Sequence, residues 1–386
     1  MRIAHVITRL IVGGAQENTI SSVLGLNKKK NITVRLYSGL TSGPEGSLES
    51  NFTSFSDLLH IVPRLIRPIN PFSDYLAYRH LLREFMQFKP DIVHTHSGKA
   101  GFLGRLAAKK ANVQNIVHSI HGPSFGSYQG RIANTLFRKA EKIAATHTDH
   151  FITVANAMQE QYLKAGIGNP NIYTRIFSGF NLKPYFSEYD TLEIRNQLGI
   201  KKDDFVVGKI ARLFELKGHD SLFKIAPILT KELPNIRFLL IGDGPLKDKF
   251  EYIAKQINCE KNFIFAGLVP PSKTPPLIKS MDALIHLSRR EGLPRALPQA
   301  MAAAKPIVAL DCDGAKGSML INEETGLLVD KEDLPGLVKS ILRLAKDQTL
   351  LKSLGQAGRK FVQDKFTIDQ MVDDQYQLYQ RLLTNS

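Results

Sequence analysis

At 386 residues the chain is too long for one ordinary hydrophobic core and fits two domains of roughly 150 to 200 residues each, while 43% hydrophobic and 23% charged residues exclude a chain disordered throughout. The net charge of +15 sits mostly in the first half, with 21 Lys/Arg against 10 Asp/Glu in residues 1–180 and 30 against 26 in residues 181–386, so the first half should attract anionic lipid, phosphorylated substrate or nucleic acid. Cys259 and Cys312 make no disulfide framework and suit a reducing compartment, the start is too short in apolar residues for a signal peptide, and no apolar run approaches a spanning helix, so a cytoplasmic protein, at most peripheral on the inner face of a membrane, is expected.

Short apolar runs alternate with helical stretches along the first half, at Ile3–Thr8, Ile32–Tyr37, Ile92–Thr95, Asn115–Ile120 and Phe151–Val154. The scheme repeats at Phe205–Ile210, Ile236–Ile241, Asn262–Ala266, Ala283–Leu287 and Pro306–Leu310. Such alternation predicts parallel sheets covered by helices on both faces. Gly and Pro break the pattern over Ser178–Pro184, where the inter-domain linker is placed, and Phe366–Leu383 reads as a helix needing a surface for its apolar side.

In open parallel sheets ligands bind beyond the carboxyl ends of the strands, and the chemistry-bearing residues lie there. Gly13 and Gly14 follow the first strand and lead into a helix, so backbone amides can approach an anion, although a tight turn alone also explains them. The third glycine of the dinucleotide fingerprint is missing and no acid closes the second strand, which disfavours a nicotinamide enzyme. His94, His96, His118 and His121 end two strands; they read as structural histidines, as zinc ligands lacking a nearby carboxylate or cysteine, or as cleft residues. His121, before Gly122, is best placed to reach a ligand.

Arg212 and Lys217 flank the loop after Phe205–Ile210 and offer a guanidinium fork and an ammonium to a diphosphate. Gly242-Asp243-Gly244-Pro245 reads as a tight turn with Pro245 at the first helical position and a backbone bordering the nucleotide. Glu291 can accept sugar hydroxyls, Gly292 and Leu293 can present amides to phosphate, Pro294 favours starting the helix, and Gln299 lies more than a turn along it. Asp311-Cys312-Asp313 has the spacing of a paired-carboxylate metal site and equally of a turn before Gly314.

Together the Gly13–Glu17 loop, Asp91–His96, His118–Gly122, Arg212 with Lys217-Gly218, Gly242–Gly244 and Glu291–Gln299 resemble the retaining family 4 glycosyltransferases, or group 1 glycosyl transferases. The resemblance implies an α/β GT-B fold: two Rossmann-like domains with parallel sheets facing a central cleft, and a C-terminal helix crossing back to the first domain. Residues 1–178 would form the acceptor-side domain, 179–363 the donor domain and 364–386 the returning helix. Arg212 and Lys217 would hold the diphosphate, Glu291 the donor-sugar hydroxyls, and Gly13, Gly14, Gly242, Gly292, Leu293 and Gln299 would line the donor, with His121 bordering the reacting sugar. It further implies no metal and no cofactor beyond a nucleotide diphosphate sugar, a UDP-sugar by default. The acceptor would be a glycan or lipid-linked one in cell-surface polysaccharide synthesis, and the basic first domain would meet anionic membrane rather than nucleic acid.

Two positions depart from the family pattern. Gln299 replaces a second Glu eight residues after Glu291 and should weaken the nucleotide contact by about 1 kcal/mol. Asp313–Gly317 lacks an acidic residue at its last position, which loosens the inference about the donor. A GT-B-like sugar-nucleotide epimerase would share most of these residues. A nucleic-acid binder fits less well, since there is no Trp and no basic run interleaved with aromatics.

Overall fold

The structure, a computed structural model, describes residues 1–41, 46–122, 124–126, 129–289, 291, 293–311 and 320–384. It divides into two compact units, Met1–Phe180 with Ile368–Ser386, and Asn181–Thr367.

The first unit runs β1 (Arg2–Ile7), α1 (Gly14–Asn27), β2 (Thr33–Ser38), β3 (Leu59–Ile61), α2 (Pro71–Phe88), β4 (Ile92–His96), α3 (Gly98–Lys110), β5 (Asn115–Ile120), α4 (Arg131–Ala145), β6 (His150–Thr153), α5 (Asn156–Lys164) and β7 (Tyr173–Arg175). Its seven parallel strands take the order β3-β2-β1-β4-β5-β6-β7. The order reverses between β1 and β4, which makes the crevice beyond those two strands a natural ligand position.

The second unit runs α6 (Lys183–Phe186), α7 (Thr191–Gln197), β8 (Phe205–Ile210), α8 (His219–Glu232), β9 (Ile236–Ile241), α9 (Lys247–Gln256), β10 (Phe263–Gly267), α10 (Thr274–Lys279), β11 (Ala283–His286), α11 (Ala296–Ala302), β12 (Ile307–Leu310), β13 (Leu327–Val329), α12 (Leu334–Lys346) and α13 (Gln348–Lys365). Its parallel sheet has the order β10-β9-β8-β11-β12-β13, with the reversal between β8 and β11.

Helices cover both faces of each sheet, so the inner strands are buried on both sides: β4, β5 and β12 are buried at every position, β12 with apolar residues alone and β4 and β5 with histidines among them. The expected strands therefore match to within a residue or so at each end. Three strands were not expected: β3, β7 and β13 are three residues each and lie at sheet edges, too short to show a period. Side-chain oxygens start several helices, with Asn70 accepting from Ser73 N at 2.9 Å and Asp333 from Gly336 N at 2.8 Å.

The last helix, α14 (Ile368–Thr384), belongs to the first unit. Met371, Val372, Leu378 and Tyr379 are buried in one cluster with Ile3, Ile7, Ile20, Val23 and Leu26. Each such side chain contributes roughly 1.5 to 3 kcal/mol on leaving water, and Gln375 adds a bond to Ser22 Oγ at 3.0 Å. Beneath α3, the fully buried Arg105 pairs with Glu141 at 2.7 Å and donates to Gly101 O and Thr148 Oγ1, while Ser124 donates to the other oxygen of Glu141. Those partners make the buried pair tolerable.

Candidate active site

In the second unit, β8 and β11 are neighbours at the strand-order reversal, and the loops that leave them carry Arg212, Lys217 and Glu291. The loop from Ala211 is strapped to the end of β11. Leu216 and Gly218 have φ of 67° and 70°, and a Cβ on Gly218 would stand 1.8 Å from Leu287 O, so only glycine fits. Leu216 O accepts from Arg289 N at 2.9 Å, Lys217 O accepts from Lys209 Nζ at 2.7 Å, and Arg289 pairs with Asp220.

Held in this way, Lys217 brings its Nζ to 2.5 Å from Glu291 Oε1, with the two side chains 29% and 19% exposed. An ion pair that wet is weak, worth up to about 1 kcal/mol. The two charges are held at one point without being locked together. A cation there can meet a phosphate oxygen while the carboxylate accepts hydroxyls.

Arg212 stays outside this pair, exposed on the same loop with its guanidinium 5.3 Å over the Phe214 ring. Gly242 supports that loop from below: its φ is 138°, a Cβ would lie 2.1 Å from Ala211 O, and Leu213 N donates to Asp243 O at 3.0 Å. Pro245 lies in a turn two residues before α9 and not at its first position: Leu246 N donates back to Leu213 O at 3.2 Å, and a Cβ on Gly244 would stand 2.4 Å from the same oxygen. Similarly α11 begins at Ala296, after Pro294 and Arg295. Leu293 and Gln299 are half-buried and take no part in the Lys217–Glu291 pair, whereas Gly292, Cys312 and Asp313 lie outside the described residues.

Sequence reasoning missed Lys209, which is 2% exposed in the middle of the site's floor. Burial, and then the charge of Lys217, push its pKa down to about 7, against the pull of Glu291 and Asp220. His219 and His286 are pushed down to about 3 by burial and by the same two lysines. His219 Nδ1, His286 Nε2 and Ser288 Oγ are buried without a hydrogen-bond partner among the described residues. The one signal in the sequence was a lysine inside the otherwise apolar strand Phe205–Ile210.

In the first unit the strand register sets His5 beside His94, and His96 beside Ser119. His94 Nδ1 is 2.6 Å from Tyr379 Oη and its Nε2 2.7 Å from Ser119 Oγ. His96 Nε2 is 2.9 Å from His5 Nδ1, and its Nδ1 is 2.9 Å from His121 Nε2. His118 Nδ1 bonds Thr95 Oγ1 at 2.8 Å. His94, His96 and His118 are thus hydrogen-bonded within the unit, and His121 is the half-buried end of the array. Burial lowers all of these imidazoles, His5 to about 3 and His121 to about 4, so they are neutral near pH 7.

His5, His94 and His96 each bring a ring nitrogen within 4.8 Å of the others. Five of their six nitrogens already face hydrogen-bond partners, so an ion could be chelated only by breaking those bonds. Gly13 has an extended φ of 178° that any residue adopts, and it caps α1 with no side chain. The first amide bonded back is that of Glu17, to Gly13 O at 3.0 Å, which leaves the helix start open beside β1.

Residues 12–174 match the model of Glycosyltransferase Family 4, and residues 190–361 that of Glycosyl transferases group 1. The UDP-Gal:alpha-D-GlcNAc-diphosphoundecaprenol alpha-1,3-galactosyltransferase of Escherichia coli is 26% identical over all of this chain and 98% of its own. The capsular polysaccharide biosynthesis glycosyltransferase CapM of Staphylococcus aureus is 24% identical over 93% of this chain and 92% of its own. Among solved structures, Anabaena HepE in complex with UDP superposes with a TM-score of 0.83 at 19% identity, covering 99% of this chain and 100% of that one. With both family models laid end to end along the sequence and a GT-B neighbour matched over its full length, the chain belongs to the group 1, family 4 glycosyltransferases.

Proposed function

We propose that the protein is a retaining, metal-independent transferase that moves a sugar from a UDP-sugar to a lipid-linked or glycan acceptor. The observation that carries this reading is the Lys217–Glu291 pair at the strand-order reversal of the second unit. As the anomeric carbon becomes oxocarbenium-like, the leaving diphosphate gains charge, which Lys217 and Arg212 are placed to stabilise without a divalent ion. Glu291 accepts from the sugar's hydroxyls and fixes its orientation. We assign no protein nucleophile; retention follows if the acceptor hydroxyl attacks on the leaving-group face. In the first unit, ligand contact is assigned to His121 and to the Gly13-Gly14 backbone.

The donor assignment is supported by the E. coli relative, named for UDP-Gal, and the acceptor assignment by the diphosphoundecaprenol in the same name. A membrane-borne acceptor also fits α4. Its exposed side carries Ile132, Leu136 and Ile143 at 88%, 56% and 54% exposure, beside Arg131, Arg138, Lys139 and Lys142. The helix's only acid, Glu141, is buried against Arg105. An apolar stripe edged by cations suits an anionic bilayer surface, and no helix among the described residues is long and apolar enough to cross one.

Purified protein offered uridine, guanosine and adenosine diphosphate sugars with a polyprenyl diphosphate-sugar acceptor should extend the acceptor from a uridine donor, as read by mass spectrometry. Flotation with liposomes containing acidic lipid should carry the wild type and leave Ile132→Ser/Leu136→Ser behind. Equal flotation of the two would remove α4 from the account.

A further inference from the structure

We infer that His5, buried in the core of the first unit, is a positioning residue that acts through His96 to make His121 a hydrogen-bond donor towards bound ligand. The three rings form an unbranched chain, His5 Nδ1 to His96 Nε2 and His96 Nδ1 to His121 Nε2, with 2.9 Å at each link. Neighbouring planes differ by 11° and 25°.

A neutral imidazole has one N–H and one lone pair, so a link needs a donor on one side and an acceptor on the other. Once one ring's tautomer is set, both of the others follow. The chain therefore has two states. In one, every ring carries its proton on Nδ1 and donates outward, ending at His121 Nδ1–H. In the other, every proton is on Nε2, and His121 offers a lone pair at Nδ1.

His5 Nε2 decides between them. It is fully buried and has no partner among the described residues. In the second state it would be an orphaned N–H, and in the first an idle lone pair. Orphaned buried N–H groups are rarer than under-used acceptors, which selects the first state. His94 does not compete, since Tyr379 and Ser119 occupy both its nitrogens. Arg105, whose charge acts on His118 from α3, is itself paired with Glu141. Burial holds the rings neutral.

His121 thus recognises an oxygen lone pair, from a phosphate or a sugar hydroxyl. This half rests on the ligand contact proposed for His121. The chain's direction is testable without any ligand.

The test is a long-range proton–nitrogen NMR correlation on the full chain labelled with 15N-histidine, with rings assigned through single His→Gln variants. His5, His96 and His121 should all show a protonated Nδ1 and a bare Nε2, the reverse of the form a free neutral imidazole prefers. An Nε2–H or doubly protonated His121 overturns the inference, whatever the ligand does. His5→Leu should lower transfer about 5- to 10-fold, the loss of one hydrogen bond's worth of positioning. His5→Asn, whose Nδ2 stands where the imidazole Nδ1 was, should restore it. Titration with UDP and with UDP-glucose separates the two oxygen sources: a shift of His121 Nδ1 with both marks phosphate, and with UDP-glucose alone a sugar hydroxyl. If neither shifts it and His121→Ala transfers normally, the ligand contact of His121 is wrong, and His5 loses its role by that separate route.

Discussion

Replacing Lys209 by Met should stabilise the second unit at low pH more than at high pH. The folded protein holds this ammonium at a pKa of about 7 against an ordinary 10.5, chiefly because it is buried. Between those values the unfolded chain binds a proton that the folded chain has released, so stability rises with pH through the window. The burden of burying the charge is fully present below about pH 7 and fades as the pH climbs towards 10.5. Each unit is worth about 1.36 kcal/mol, so between pH 9 and pH 6.5 the wild type should lose about 2.5 kcal/mol relative to Lys209→Met. Loss of the bond to Lys217 O is a constant offset and cancels between the two pH values. The assay is urea unfolding of both proteins at the two pH values, with the second unit's transition followed separately. A difference between variant and wild type that does not change with pH would refute the reasoning.

Other expectations come from the same contacts. Lys217→Met should weaken UDP binding about tenfold or more by calorimetry, as expected for a lost charge-assisted bond to phosphate. Glu291→Gln should leave UDP binding equal or tighter, since it releases Lys217 from its 2.5 Å partner, yet depress transfer. Glu141→Gln should cost about 3 to 5 kcal/mol in the first unit's unfolding, because it leaves Arg105 buried without its counter-charge; the double change Arg105→Met/Glu141→Leu should recover much of that. Tyr379→Phe should cost about 1 kcal/mol through the lost bond to His94, seen as earlier release of α14 in hydrogen exchange.

Much of the fold was legible because both sheets are covered on both faces, so β12 is an unbroken apolar run and β8 and β9 are each interrupted by a single charged residue, Lys209 and Arg237. The edge strands β3, β7 and β13 were not, since three residues carry no pattern. For the site, each loop could be named from its residue types, but their meeting could not. Lys217 and Glu291 are 74 residues apart and come together only because β8 pairs with β11. His5 was invisible for the same reason: one histidine in an N-terminal strand means little until pairing of β1 with β4 sets it beside His94 and His96. Lys209 lay in plain view in its strand, but its role depends on the carbonyl of Lys217, whose place is fixed by the left-handed turn at Leu216 and Gly218.

The most direct test of the central claim is a transfer assay comparing wild type with Glu291→Gln, using UDP-glucose and UDP-galactose with a polyprenyl diphosphate-sugar acceptor and reading products by mass spectrometry. The account predicts an acceptor heavier by one hexose from the wild type, with the variant binding UDP undiminished and forming little product. No transfer and no nucleotide binding by the wild type, or full transfer by Glu291→Gln, would contradict it.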